Sequence, residues 1–194
     1  MSPRAGLNET IIIAAAEGIA DKNGYEAVTL ASVADALNIR PPSLYNHIEG
    51  LGELKKRLAI NGLESLFQEM SEASEHLKEY EAILAASKAY LLFALYHPGL
   101  YESILKAPNP NDPEVLAAAE KVLTLVVQLM SGFHLKGDNV FHSVRGLRSI
   151  LHGFASLEQG KGFNMELDLS ISLEFAVSSY LYGLKAKMEE GERS

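Results

Sequence analysis

Residues 29–48 read TLASVADALNIRPPSLYNHI, and the two adjacent prolines decide how the rest of the chain is parsed. Proline lacks an N–H and has a fixed φ, so it suits the first turn of a helix and biases the preceding residue away from the α region. Arg40-Pro41-Pro42 therefore reads as a turn followed by a helix start. Before it, Thr29 has the residue type of an N-cap, and Leu30, Val33, Ala34 and Leu37 recur at i, i+3, i+4 and i+7, one stripe of a short helix. After it, a helix from Pro41 to about Ile48 buries Leu44 and Ile48 and leaves Ser43, Tyr45, Asn46 and His47 free.

Two longer segments flank this pair. ETIIIAAAEGIADKNG, residues 9–24, sets Ile12, Ala15, Ala16 and Ile19 on one stripe and stops at Lys22-Asn23-Gly24. GLGELKKRLAINGLESLFQEM, residues 50–70, carries Leu51, Leu54, Leu58, Leu63 and Leu66 along a long amphipathic helix. Isolated helices shorter than roughly 12 residues are marginal in water, so the short pair needs such neighbours to hold it. Lys55, Lys56 and Arg57 fall near the start of the long helix, where a phosphate strand would run. Two short helices joined by a tight turn and preceded by a longer one make a helix-turn-helix unit.

At these residues the chain resembles the DNA-binding domain of the TetR family of bacterial transcriptional repressors, over residues 9–60. The element most specific to the resemblance is Leu44-Tyr45-x-His47-Ile48 directly after the turn. The resemblance implies that Tyr45 and His47 touch DNA phosphates. Arg40, Ser43 and Asn46 are the candidates for base edges, where sequence is read. Thr29, Pro41 and Lys55 complete the expected DNA-binding set. The chain departs from the family pattern at Ala31, where a basic residue is common, and at Gly50-Leu51, where Ser-Lys is common.

Beyond residue 60 every segment again has helical periodicity, and the expected class is all-α. Residues 1–58 form the helix-turn-helix domain and 59–194 a helical ligand-binding and dimerisation domain. YLLFALYHPGLYESIL, residues 90–105, and LRSILHGFASLEQG, residues 147–160, resemble the ligand-binding part of one branch of TetR-like regulators. In that branch a Trp, a His and a Gly accompany the second stretch; here His152-Gly153 is present and tryptophan is absent. Phe93, Tyr96, His97, Tyr101, Phe133, His134 and Phe154, with Phe141 nearby in sequence, are either ordinary core or the lining of a pocket for a small hydrophobic or aromatic effector. Gly146, Ser149, Gly153 and Ser156, and likewise Ser172, Ala176, Ser179 and Gly183, form narrow small-residue stripes. Such stripes suit close helix packing, either across a homodimer interface or inside one subunit.

Composition narrows the classes. The formal charge is −8, which argues against a protein that coats nucleic acid; residues 1–58 carry 6 basic and 7 acidic side chains against 11 and 18 in the remainder. The absence of cysteine suits a reducing compartment and a cytoplasmic location. No run of eighteen apolar residues occurs and residues 1–10 lack an apolar signal core, so no membrane partner is expected. The six histidines show neither HxxxH nor ExxH spacing, phosphate-loop and nucleophile-elbow motifs are absent, and no cofactor, metal or catalysis is expected. The reading is a dimeric regulator that binds a pseudo-palindromic DNA operator and is released by a small molecule. A helical carrier that never meets DNA is the alternative.

Overall fold

The computed structural model describes residues 6–191, with side chains to residue 187, and the regular elements in that range are all helices. The end of the chain, where fraying is expected from sequence, lies outside the described residues. Eight α-helices follow in order: α1 Glu9–Asn23, α2 Leu30–Ala36, α3 Leu51–Ser74, α4 Glu79–Tyr96, α5 Pro98–Leu105, α6 Pro113–Leu129, α7 Asp138–Gln159 and α8 Leu169–Gly191. Short 3-10 helices occupy Tyr25–Ala27, Pro41–Asn46 and Met130–Phe133.

Local chemistry accounts for the boundaries. The Asn8 side chain accepts from the Ile11 N–H at 2.9 Å and starts α1. Gly24, at φ 91°, ends it by donating its N–H to the Ala20 carbonyl. Thr29 and Ser32 form a reciprocal capping box at the head of α2. At the tail of α2, Asn38 takes φ 53° and donates to Asp35, while Ile39 donates to Ala34, the paired bonds of a Schellman stop.

The segment expected as a helix from Pro41 to Ile48 is instead a 3-10 helix, Pro41–Asn46. The prolines at its first two positions forfeit no bond, since first-turn N–H groups are unpaired in any helix; over so short a segment the bonds tighten to three residues, Ser43 N–H to the Arg40 carbonyl and His47 N–H to the Leu44 carbonyl.

The chain folds as two compact units that no single cut separates. The first joins Met1–Glu64 to Tyr96–Ala119, and the second joins Ser65–Leu95 to Glu120–Ser194. The core of the first contains Ile12, Ala16, Val33, Leu44, Ile48, Leu54 and Leu58, together with Leu100 and Tyr101 of α5. Leu51, expected on the buried stripe of α3, is exposed at its first residue. Asp21 on α1 caps α5 by accepting both the Gly99 and Leu100 N–H groups at 2.9 Å. Gly99 presses so closely on α1 that a side chain there would collide with the Ala20 backbone. The core of the second unit contains Ile83, Leu91, Phe93, Met130, Leu151, Leu173 and Leu181. There Gln159 on α7 donates to the Ala94 carbonyl of α4 at 2.7 Å, and Tyr180 on α8 donates to the Ser143 carbonyl of α7 at 2.7 Å.

The stretch Pro113–Phe133 has a mean hydropathy of 1.5 and is long and apolar enough, by length and composition, to cross a membrane. Glu114, Glu120 and Lys121 interrupt it, so no unbroken apolar run betrays it in the sequence.

Candidate nucleic-acid interface and effector pocket

Leu44 and Ile48 are the anchors of the recognition segment, both buried in the first unit. With those two fixed inward, Pro41, Pro42, Tyr45, Asn46 and His47 are exposed and Ser43 half-exposed. Tyr45 keeps 58% of its surface accessible, a large apolar ring with no folding role to explain its position. The phenol, amide and imidazole thus form a contiguous polar ridge. Arg40, the residue before the first proline, is exposed and makes no ion pair among the described residues. Thr29 is also exposed, but its hydroxyl accepts from the Ser32 N–H at 3.0 Å to cap α2.

The three basic residues at the head of α3 do not extend this ridge. Lys56 Nζ lies 2.7 Å from Glu114, 3.0 Å from Glu53 and 3.8 Å from Asp112. The Glu114 and Glu53 hydrogen bonds push its pKa up. Arg57 pairs with Glu53 at 2.7 Å, Glu114 at 2.9 Å and Glu9 at 3.3 Å. Lys55 sits 3.5 Å from Glu26 and 4.3 Å from the centroid of the Tyr25 ring, a cation–π geometry. Their place near the recognition segment therefore serves to bind α3 to its own unit, because, Glu53 of α3 itself apart, the acidic partners come from α1, from the 3-10 helix Tyr25–Ala27, from the α5–α6 connection and from the head of α6.

In the second unit a cavity of about 1100 Å³ opens beside α8. Its walls are Tyr80 and Glu79 from the head of α4, Gly132, Phe133 and His134 after α6, and Ile171, Glu174, Phe175, Ser178, Ser179, Leu181, Tyr182 and Lys185 from α8. Aromatic rings and aliphatic side chains dominate, with carboxylates, an ammonium and hydroxyls at intervals. Tyr80 and Ser178 are hydrogen-bonded across it, and Glu174 pairs with Lys88 at 2.8 Å. Glu79 and His134 both hold φ near +50° without being glycine, backbone strain concentrated at the rim.

Of the residues the sequence proposes for the pocket, the structure brings Phe133 and His134 into this cavity and leaves the rest elsewhere. Phe93 is 1% exposed and is core. Phe154 packs against Phe163 in a tilted pair, with ring centroids 5.4 Å apart and planes 46° apart. Tyr96, His97 and Tyr101 belong to the first unit: Tyr96 is 73% exposed, Tyr101 is buried, and His97 Nδ1 lies 2.9 Å from Asp21. The reason is the break at His97-Pro98, which sends α5 into the helix-turn-helix core. Tyr80 carries no signal in the sequence, and Phe175 and Tyr182 stand out there only as apolar residues flanking the small-residue stripe of α8; the structure places all three on the cavity wall.

The small-residue stripes divide. Space over Gly146 is taken by the Tyr180 ring of the same chain, so that position packs within the subunit. Among the described residues nothing lies within 4 Å of a Cβ at Gly153 or Gly183, and Ser149, Ser156 and Ser179 are exposed.

Residues 83–180 match the family described as tetracyclin repressor-like, C-terminal domain. The chain is 38% identical over 185 residues to the uncharacterized HTH-type transcriptional regulator YobS of Bacillus subtilis strain 168, covering 95% of this chain and 96% of that one. Among solved structures, a protein of unknown function from Rhodococcus sp. RHA1 superposes with a TM-score of 0.81 at 20% identity, over 95% of this chain and all of that one (100%). A TetR from Acinetobacter baumannii AYE in complex with minocycline gives 0.69 at 18% identity, over 94% and 98%.

Proposed function

The chain belongs to the TetR family of helix-turn-helix transcriptional regulators, and from that premise we propose that it is a repressor whose dimer binds a pseudo-palindromic operator and is released by a small aromatic or hydrophobic effector. DNA recognition belongs to residues 1–58 and effector binding and dimerisation to 59–194. The observation that carries this reading is the ridge of Tyr45, Asn46 and His47, held outward by buried Leu44 and Ile48. Solvated side chains of that kind on a two-turn segment have no use in the core and suit phosphates and base edges. The effector site is the cavity walled by Tyr80, Phe133, Phe175 and Tyr182; the relative in complex with minocycline supports a ring-containing ligand for a fold of this kind.

Release follows from unequal affinity: an effector shifts the equilibrium only by binding the DNA-incompetent state more tightly. A preference of 100-fold corresponds to roughly 2.7 kcal/mol of coupling. The test is selection of bound sequences from random duplex DNA by the full-length protein, followed by fluorescence anisotropy on the winner. An enriched inverted repeat is expected; failure to enrich any sequence would leave the carrier reading, which the engagement of Lys55, Lys56 and Arg57 by acidic partners favours.

A further inference from the structure

We propose that Glu17, Asp21 and His97 form a binding site for a first-row divalent cation of the zinc type, built between α1 and the turn that opens α5. The donor atoms of the three side chains all lie within 4.8 Å of one another. Zinc bonds to imidazole nitrogen and carboxylate oxygen are about 2.0–2.2 Å long, so two donors on one ion stand roughly 3–3.5 Å apart. His97 Nδ1 and Asp21 Oδ2 are 2.9 Å apart, at the near edge of that spacing, and joined by a hydrogen bond. A cation entering there replaces the shared proton, which leaves to solvent as the imidazole and carboxylate turn their lone pairs to the metal. Glu17 stands one helical turn before Asp21 on the same face of α1 and supplies the third donor.

Groups outside the donor set aim it. Asn61 on α3 donates to Glu17 Oε2 at 3.1 Å, and the Gly99 and Leu100 N–H groups hold Asp21 Oδ1, the oxygen not facing His97. Hydrogen bonds of this kind orient metal ligands and tune their basicity. Two carboxylates and an imidazole suit zinc, manganese or iron better than magnesium or calcium, which favour all-oxygen sets. All three side chains are half-buried, which leaves coordination positions open to water. Local spacing cannot reveal this set, because His97 is 76 residues from Asp21. The cation would tie α1 to α5 within the unit that carries the recognition ridge.

The test uses the full-length chain, stripped with EDTA, freed of chelator and titrated with zinc chloride by calorimetry and in thermal unfolding. One equivalent per chain is expected, with a rise in unfolding temperature reversed by EDTA, and no response to magnesium at the same concentration. Glu17→Gln keeps the acceptor for Asn61 and should weaken binding about tenfold or more; His97→Gln should abolish it. Should His97→Gln fail to fold, Glu17→Gln decides alone. Absence of binding by the wild type overturns the proposal, as does equal binding by Glu17→Gln, which would assign the zinc to surface histidines such as His76, or an equal response to magnesium.

Discussion

Tyr45 and His47 bracket Asn46 on the exposed ridge, and the two kinds of contact they can make with DNA differ in their consequences. A phosphate contact adds affinity regardless of sequence, whereas a base contact adds it for one sequence. Tyr45→Ala and His47→Ala should therefore weaken binding evenly across operator variants, while Asn46→Ala or Ser43→Ala should change the preferred base by about 1–3 kcal/mol at one position. Titration against the selected operator and its single-base variants checks this, and a changed preference in Tyr45→Ala would reverse the roles. With Lys55, Lys56 and Arg57 tied to carboxylates, Arg40 is the basic residue best placed to contact DNA from the recognition segment, so the salt slope of binding should be shallow for the family's type of site. The inward pair Leu44 and Ile48 was legible from spacing alone, as was the Thr29 cap. The acidic partners of the basic cluster were not, since Glu114 is 58 residues from Lys56 and ion pairs leave no periodicity.

At the level of elements, helix stripes and stops follow from short-range rules, and α1 and α2 begin and end where Asn8, Gly24, Thr29 and Asn38 dictate. The recognition segment differed in the span of its hydrogen bonds, Ser43 to Arg40 and His47 to Leu44 each reaching back three residues, a detail that apolar spacing does not register. The assignment of α5 differed for another reason: its amphipathic pattern says that one face is buried, not against which partner. Gly99 makes the partner testable. Its close approach to the Ala20 backbone leaves no room for a methyl group, so Gly99→Ala should destabilise the protein by about 1–3 kcal/mol, whereas the same change at Gly18, open to solvent, should cost nothing and gain helix propensity. Denaturant unfolding of the two variants decides it. The Glu114 cluster gives a pH prediction. Its hydrogen bond to Lys56, and then that to Arg57, hold the Glu114 carboxyl below its ordinary value of 4.5. A depressed folded-state pKa adds stability that is present above the unfolded value and lost as pH falls through the folded one. Wild type and Glu114→Gln should thus differ in unfolding temperature at neutral pH and converge in acid; a gap that persists in acid would mean the change acts through packing.

At the scale of the whole molecule, α8 presents Ile171, Phe175 and Tyr182, exposed to 70%, 75% and 78%, along one side of three successive turns. Apolar surface this contiguous marks an interaction face rather than ordinary surface, and members of this family act as dimers. Gly183, next in sequence to Tyr182 and so about a quarter turn round the helix from it, has no described atom within 4 Å of where its Cβ would stand, and Gly153 on α7 is likewise open. Within one chain, therefore, a Cβ at either glycine touches no described residue, and a larger side chain there should leave the fold of the monomer intact. In a dimer seated on this face it would hold the helices apart. Moving a large apolar side chain such as Phe175 from water into an interface contributes roughly 1.5–3 kcal/mol, and two-fold symmetry counts it twice. Phe175→Glu removes that contribution and buries charge besides, so its dimer constant should weaken by about 100-fold or more. Gly183→Leu should do the same through spacing alone, and Gly146→Ala, which collides with Tyr180 of its own chain, should lower thermal stability. Sedimentation equilibrium with circular dichroism on the three variants separates the outcomes. A folded Gly183→Leu that remains as dimeric as the wild type would move the interface off this part of α8 and return its apolar residues to the effector cavity that they also line.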